Sequence, residues 1–305
     1  MARLYKNPNQ FVADAPGMVG KVLFVDSVRG SSSYDGTDPH EPKASLDDAI
    51  NNCAADEGAI IYLMPNHAES VTSAGAIAFD TAGVKVVGLG KGAARPTFTF
   101  STAVTASITI TASCWLENIL FVNGIDNLTN PINIAAADVV IKDCECRDDN
   151  ASYHCDDFIL TTAAANRLQI IDHVHQASGG NTGAQTAISI VGGNDIIIIP
   201  KHIDGDFATA CIENVTTACD TLRVFGRASR LGYLRNRNSA DVCVTCVATT
   251  KGHIGPHLYG RLADNAANIT EAFVGADMEF FLPIEIVNLD GESSVGTNIS
   301  ASTDA

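Results

Sequence analysis

The chain has 305 residues, a formal net charge of −16, 46% apolar residues and 6% aromatics. Its lysines and arginines are scattered, which excludes the clustered cations needed to neutralise nucleic acid phosphates. The opening MARLYKNPNQFVADAPGMVGK has no apolar run of the signal-peptide kind, and no later stretch reaches the roughly 18 uninterrupted apolar residues of a membrane span, so neither a signal peptide nor a transmembrane segment is expected.

In chain order, residues 1–20 carry no repeat and read as an N-terminal arm. A strand is expected at VLFVDS, residues 22–27, followed by a YDGTDPHEP loop at 34–42. The next segment, SLDDAINNCAADEGAIIYLMPNHAE at 45–69, begins with Ser45 as a helix N-cap and puts Asp47 and Asp48 in the first turn, where negative charge meets the positive end of the helix dipole.

Five segments can then be laid under one another: SITITASCWLENILFVNG from Ser107, PINIAAADVVIKDCECRDD from Pro131, DFILTTAAANRLQIIDHVHQAS from Asp157, TAISIVGGNDIIIIPKHIDGD from Thr186 and CIENVTTACDTLRVFGRAS from Cys211. Each is a short alternating strand, a small or polar corner and a second alternating strand. Anchors of the first strand are Ile110, Ile134, Leu160, Ile190 and Val215, spaced by 24, 26, 30 and 25 residues. Anchors of the second are Leu116, Ile141 (or Val139 in an alternative register), Leu168, Ile197 and Leu222. A drifting period with an internal spacing of two predicts an all-β solenoid of parallel coils, not a helical repeat. Asn118, Asp143 and Asp172 take equivalent corner places, and both residue types tolerate the left-handed region that a repeated tight bend requires. Residues 21–250 are thus expected to form the solenoid. Residues 251–305 read as a cap with one strand pair, at 278–282 and 284–289, and a polar tail.

The I-x-N-x-x-F form of residues 116–121, recurring coil after coil, resembles the pectate-lyase-like right-handed parallel β-helix superfamily, as does the opening at 22–69. The likeness covers roughly residues 20–250. It implies a short N-terminal capping helix that plugs the open end of the solenoid, whose strand edges would otherwise recruit other chains.

Polysaccharide-cleaving members of that fold use clustered carboxylates or calcium with a basic residue. The galacturonase-type set of N-T-D, D-D, G-H-G and R-I-K is not present here as a set. Asp148-Asp149 and Asp156-Asp157 are D-D pairs expected in loops between coils, without an accompanying His and basic residue. Arg235 and Arg237 read as surface-loop cations, Trp115 as a coil-packing residue and the nine cysteines as reduced, buried hydrophobes. No catalytic residues and no cofactor are singled out.

One constellation has metal-ligand character. With the coils in register, Cys144, His173 and His202 share a column, and Cys146, His175 and Asp204 share the next. Shifting the fourth coil by one residue puts Lys201 and Ile203 there instead. His173, His175, His202 and Asp204 are the candidate ligands.

The V-D-S, D-G-T and P-N-H-A-E elements also resemble structural proteins of tailed bacteriophages. With the absence of a leader and of a catalytic set, they imply a non-enzymatic virion protein, a trimeric capsid decoration protein assembled in the host cytoplasm, with the major capsid protein as partner. A tailspike-type carbohydrate-active enzyme and a glycan-binding adhesin are the alternatives.

Overall fold

The computed structural model describes residues 20–177, 185–237, 242–261 and 273–287. All of the expected arm at 1–20 except its last residue, and the tail from 288 onward, lie outside the described residues. Short strands stack in parallel from coil to coil on three faces, making a parallel β-solenoid.

The first face runs from Val22–Val25 through Ile60–Leu63, Val84–Gly88, Cys114–Glu117 and Val140–Lys142 to Met278–Phe280. The second runs from Ala68–Val71 through Thr97–Phe100, Leu120–Asn123 and Glu145–Asp148 to Ile284–Val287. The long strands Gln169–Gln176 and Ile196–Gly205 span both faces. A separate eight-stranded sheet from Ile77–Phe79 to Phe273–Val274 forms the third. The ladder therefore does not stop at residue 250. The strands at 278–280 and 284–287, expected to pair with each other, each extend a different face of the solenoid.

Burial explains the alternation. On the first face Leu23, Ile61, Val86, Leu116, Ile141, Ile170, Ile198, Val224 and Ile254 face each other in register and are all buried. On the third face Ile77, Ile108, Ile132, Ile159, Ile188, Ile212, Val244 and Phe273 form an equivalent row. β-Branched side chains repeated on identical backbone give each coil the same hole to fill, so the rows pack without a change of register.

Two anchor assignments shift by one residue. Ile110 and Ile134 stack as expected, but Thr161, not Leu160, lies opposite Ile134, and Asn214, not Val215, lies opposite Ile190. The interior accepts these polar residues because they end strands and close the following turn. Val191 N–H donates to Thr161 Oγ1 at 3.2 Å, and Asn214 Nδ2 donates to the carbonyls of Ile190 and Thr217 at 2.9 and 3.0 Å. On the first face Ile170 replaces Leu168 in the row of Leu116 and Ile141, Val224 replaces Leu222, and Ile197 faces outward beside the inward Ile198.

Leu46–Ile50 is a single helical turn. Ser45 Oγ accepts from Asp48 N–H at 3.3 Å as its N-cap, and Leu46, Ala49 and Ile50 are buried. The turn sits against the first strands of the first and third faces. Among the described residues no helix is long and apolar enough to cross a membrane. All nine cysteines are free thiols, eight of them buried and Cys53 partly so.

Candidate functional site

The site begins at the corner between the first and second faces. Asn118, Asp143 and Asp172 adopt φ of 58°, 51° and 55° in three successive coils, as their residue types suggested. Their side chains form no ladder. Asn118 Nδ2 donates to the carbonyls of Gly88 and Gly90 at 2.7 and 2.9 Å, and Asp172 is held from outside by Arg227, at 3.0 Å, and Arg230.

The left-handed residue turns the next side chain inward. Ile119, Cys144 and His173 occupy that place in successive coils, and Phe121, Cys146 and His175 follow two residues later. All six are buried. Around Asp172 the register with the next strand shifts on either side of His173, and this irregularity lets both imidazoles enter the core.

The structure separates the four candidate ligands. His175 lies opposite Ile203, and Val174 lies opposite His202, so His202 and Asp204 face outward while His173 and His175 face in. This is the shifted register, with Pro200 rather than Lys201 opposite His173. The fourth coil has no Asx corner at this place.

Inside, the side chains of Cys146, His173 and His175 come together, their ligand atoms all within 4.8 Å of one another. Neither ring nitrogen of His173 nor Nδ1 of His175 has a hydrogen-bond partner. Orphaned buried polar atoms cost about 1–3 kcal/mol each. Burial holds His173 down at about 4 and His175 well below the ordinary imidazole range, the latter also because His173 is beside it. Burial, with the neighbouring thiols of Cys144 and Cys155, raises Cys146 far above the ordinary thiol range. The surroundings are apolar: His175 meets Phe158 and Phe207 edge-on at 5.2 and 5.5 Å between ring centroids. Cys144 stands apart, its thiol directed at the carbonyl of Lys142 at 3.4 Å.

Outside, His202, Tyr233 and Tyr259 stack coil over coil, with centroids 4.7 and 5.2 Å apart. Asp204 lies 2.8 Å from Arg237 and 3.6 Å from Arg235. The two arginines are therefore tied to a carboxylate of the preceding coil. A cleft of about 400 Å³ beside them is lined by Asp148, Asp149, Asp204 and Arg237. Asp148 itself accepts from Asn123 Nδ2 at 3.0 Å. Trp115 faces outward, half-buried, with the Lys85 ammonium 4.5 Å from its ring and its indole N–H donating to Glu117.

The second D-D pair leads to a cluster that sequence reasoning missed. Asp157 opens a strand of the third face near Ser189 and Glu213, whose side chains bond to each other at 2.8 Å. Burial, then the charge of Glu213, lifts the Asp157 carboxyl to about 7. Ser189 and Glu213 lie one and two coils farther on, so only the coil register could have placed them there.

A raised carboxyl disfavours the folded state as it ionises. Its stabilising contribution is full below the usual carboxylate range, declines as pH rises, and is gone once pH has passed about 7. Asp157→Asn should therefore raise the melting temperature at pH 8 by a few degrees and leave it nearly unchanged at pH 4. Melting curves across that window check this, and an equal shift at both ends would exclude Asp157 as the titrating group.

Comparison with models of known families, with curated proteins and with solved structures yields no match to this chain.

Proposed function

We propose that the chain is a non-enzymatic structural protein of a bacteriophage virion, a trimer that decorates the capsid by binding the major capsid protein. The observation that carries this reading is the use of charge on the outer face. Asp138 pairs with Arg167, Asp195 with Arg223, Asp204 with Arg235 and Arg237, Glu145 with Arg95, and Asp172 with Arg227 and Arg230. Each pair joins coils one or two apart. Carboxylates neutralised by a neighbouring coil's guanidinium serve as staples along a rod, whereas glycosidic cleavage needs them available to substrate and water.

The phage assignment draws on the resemblance of the opening segments. The same resemblance supports a right-handed coil of the pectate-lyase-like kind, with the helical turn at Leu46–Ile50 as the plug of its first coil. Parallel crossovers are right-handed in nearly all sheets, which agrees. A threefold assembly follows by analogy with side-by-side β-helices of phage.

Attachment is assigned to the terminal segments, which have no repeat to join. Removing residues 1–19 should leave a chain with unchanged circular dichroism and melting that no longer binds particles lacking the native protein. Asp148→Asn and Asp156→Asn should leave binding intact. The tailspike alternative rests on the cleft lined by Asp148, Asp149 and Asp204. It replaces this reading if the purified chain depolymerises a bacterial surface polysaccharide and either substitution abolishes that activity.

A further inference from the structure

We propose that Cys146, His173 and His175 form an internal binding site for one zinc ion, which cross-links two successive coils of the solenoid. Three observations converge on it. The ligand atoms of one thiol and two imidazoles lie within 4.8 Å of one another. All three side chains are buried, at 0, 0 and 1% exposure. Three of the four imidazole nitrogens make no well-aligned hydrogen bond, although the Cys144 backbone lies beside His173, so each neutral ring keeps a lone pair suited to a borderline metal.

The row in which these residues stand sharpens the point. Phe98 and Phe121 precede Cys146, and Ile203 and Leu234 follow His175, so apolar side chains fill the same place in the coils on either side. Two coils depart from that pattern together, and they are adjacent. Zinc bonds of about 2.0–2.1 Å to nitrogen and about 2.3 Å to sulfur put tetrahedral ligand atoms roughly 3.3–3.7 Å apart, so the three side chains draw together from separations of up to 4.8 Å on binding. Three protein ligands leave the fourth position of a tetrahedral zinc site open. Binding releases the Cys146 proton to solvent as the zinc–thiolate bond forms, while the neutral imidazoles coordinate without losing one. Because the site is enclosed, the ion enters as the coils form and is held by the folded chain.

The test is to denature the full chain in chelator and refold it without metal, with Zn²⁺ alone, or with Co²⁺ alone. About one zinc per chain should survive gel filtration by elemental analysis, and the melting temperature should rise above that of the metal-free chain. The cobalt form should show tetrahedral visible bands and a thiolate-to-cobalt charge-transfer band. Cys146→Val, which keeps an apolar side chain in the row, should lose the charge-transfer band and the metal-dependent rise. The wild-type comparison stands even if that variant does not fold. Refolding to the same melting temperature with less than about one tenth of an equivalent of either metal bound overturns the proposal, and leaves His175 resting on Phe158 and Phe207, with His173 beside it, as neutral core residues. Bound cobalt without a thiolate band also overturns it.

Discussion

Ile134→Asp is expected to prevent folding. Ile134 is fully buried, in register with the uncharged Ile110 on one side and Thr161 on the other. An unpaired carboxylate there costs about 3–5 kcal/mol or more, against a total stability on the order of 5–15 kcal/mol. Loss of register would spread, because each coil is templated by its neighbours. Ile134→Val removes one methylene and should cost only about 0.5–1.5 kcal/mol. Far-UV circular dichroism and soluble yield distinguish the two. A folded Ile134→Asp chain would mean that the row is not an interior stack.

The second large effect is expected at Asn214, which is 1% exposed. Its amide donates to the carbonyls of Ile190 and Thr217 and its oxygen accepts from the Thr250 hydroxyl, so one side chain ties three coils together. Asn214→Leu fills the volume and improves hydrophobicity, yet it orphans the Thr217 carbonyl, leaves the Thr250 hydroxyl without an acceptor, and leaves the Ile190 carbonyl with Val215 N–H alone. We expect a loss of about 2–4 kcal/mol, seen as a lower urea midpoint at unchanged slope. Thr250→Val in the same chain removes the unsatisfied hydroxyl but also the acceptor of Cys219 N–H, at 3.4 Å, so it should recover little of the loss and show non-additivity with Asn214→Leu. If Asn214→Leu is neutral or stabilising, the turn closure does not hold the coils.

Asn214 also shows where sequence reading loses its grip. The alternation of Ile108, Ile110, Ile132 and Ile134 announces a strand with one buried face, and the spacing of these pairs announces stacking. Both are local properties of apolar pattern, and the structure agrees with them. The register of later coils depends on which polar residues find partners across a turn, and that is set by atoms about 25 residues away. Leu160 and Val215 look like interior anchors by hydropathy, but Thr161 and Asn214 take the interior because the turns satisfy them.

The candidate site divides along the same line. Asn118, Asp143 and Asp172 betray the left-handed corner by residue type, and the corner in turn puts Cys146 and His175 in one column. The fourth coil has no Asn or Asp to mark its corner, and Pro200 lies opposite His173, so nothing local announced that Ile203 would go in and that His202 and Asp204 would go out. The cluster of Asp157, Ser189 and Glu213 was hidden for the same reason. The continuation of the ladder to 287 was obscured by the sparse alternation of GHI and LYGR, whose strands each bury one large apolar side chain, Ile254 and Leu258.

The central claim, a structural decoration of the virion shell, is tested most directly by the copy number of the chain in purified particles, measured by quantitative mass spectrometry against the major capsid protein. Hundreds of copies in a fixed ratio to the shell protein, in multiples of three, are expected. A handful of copies, or none, would contradict the claim and place the protein at the tail or off the particle.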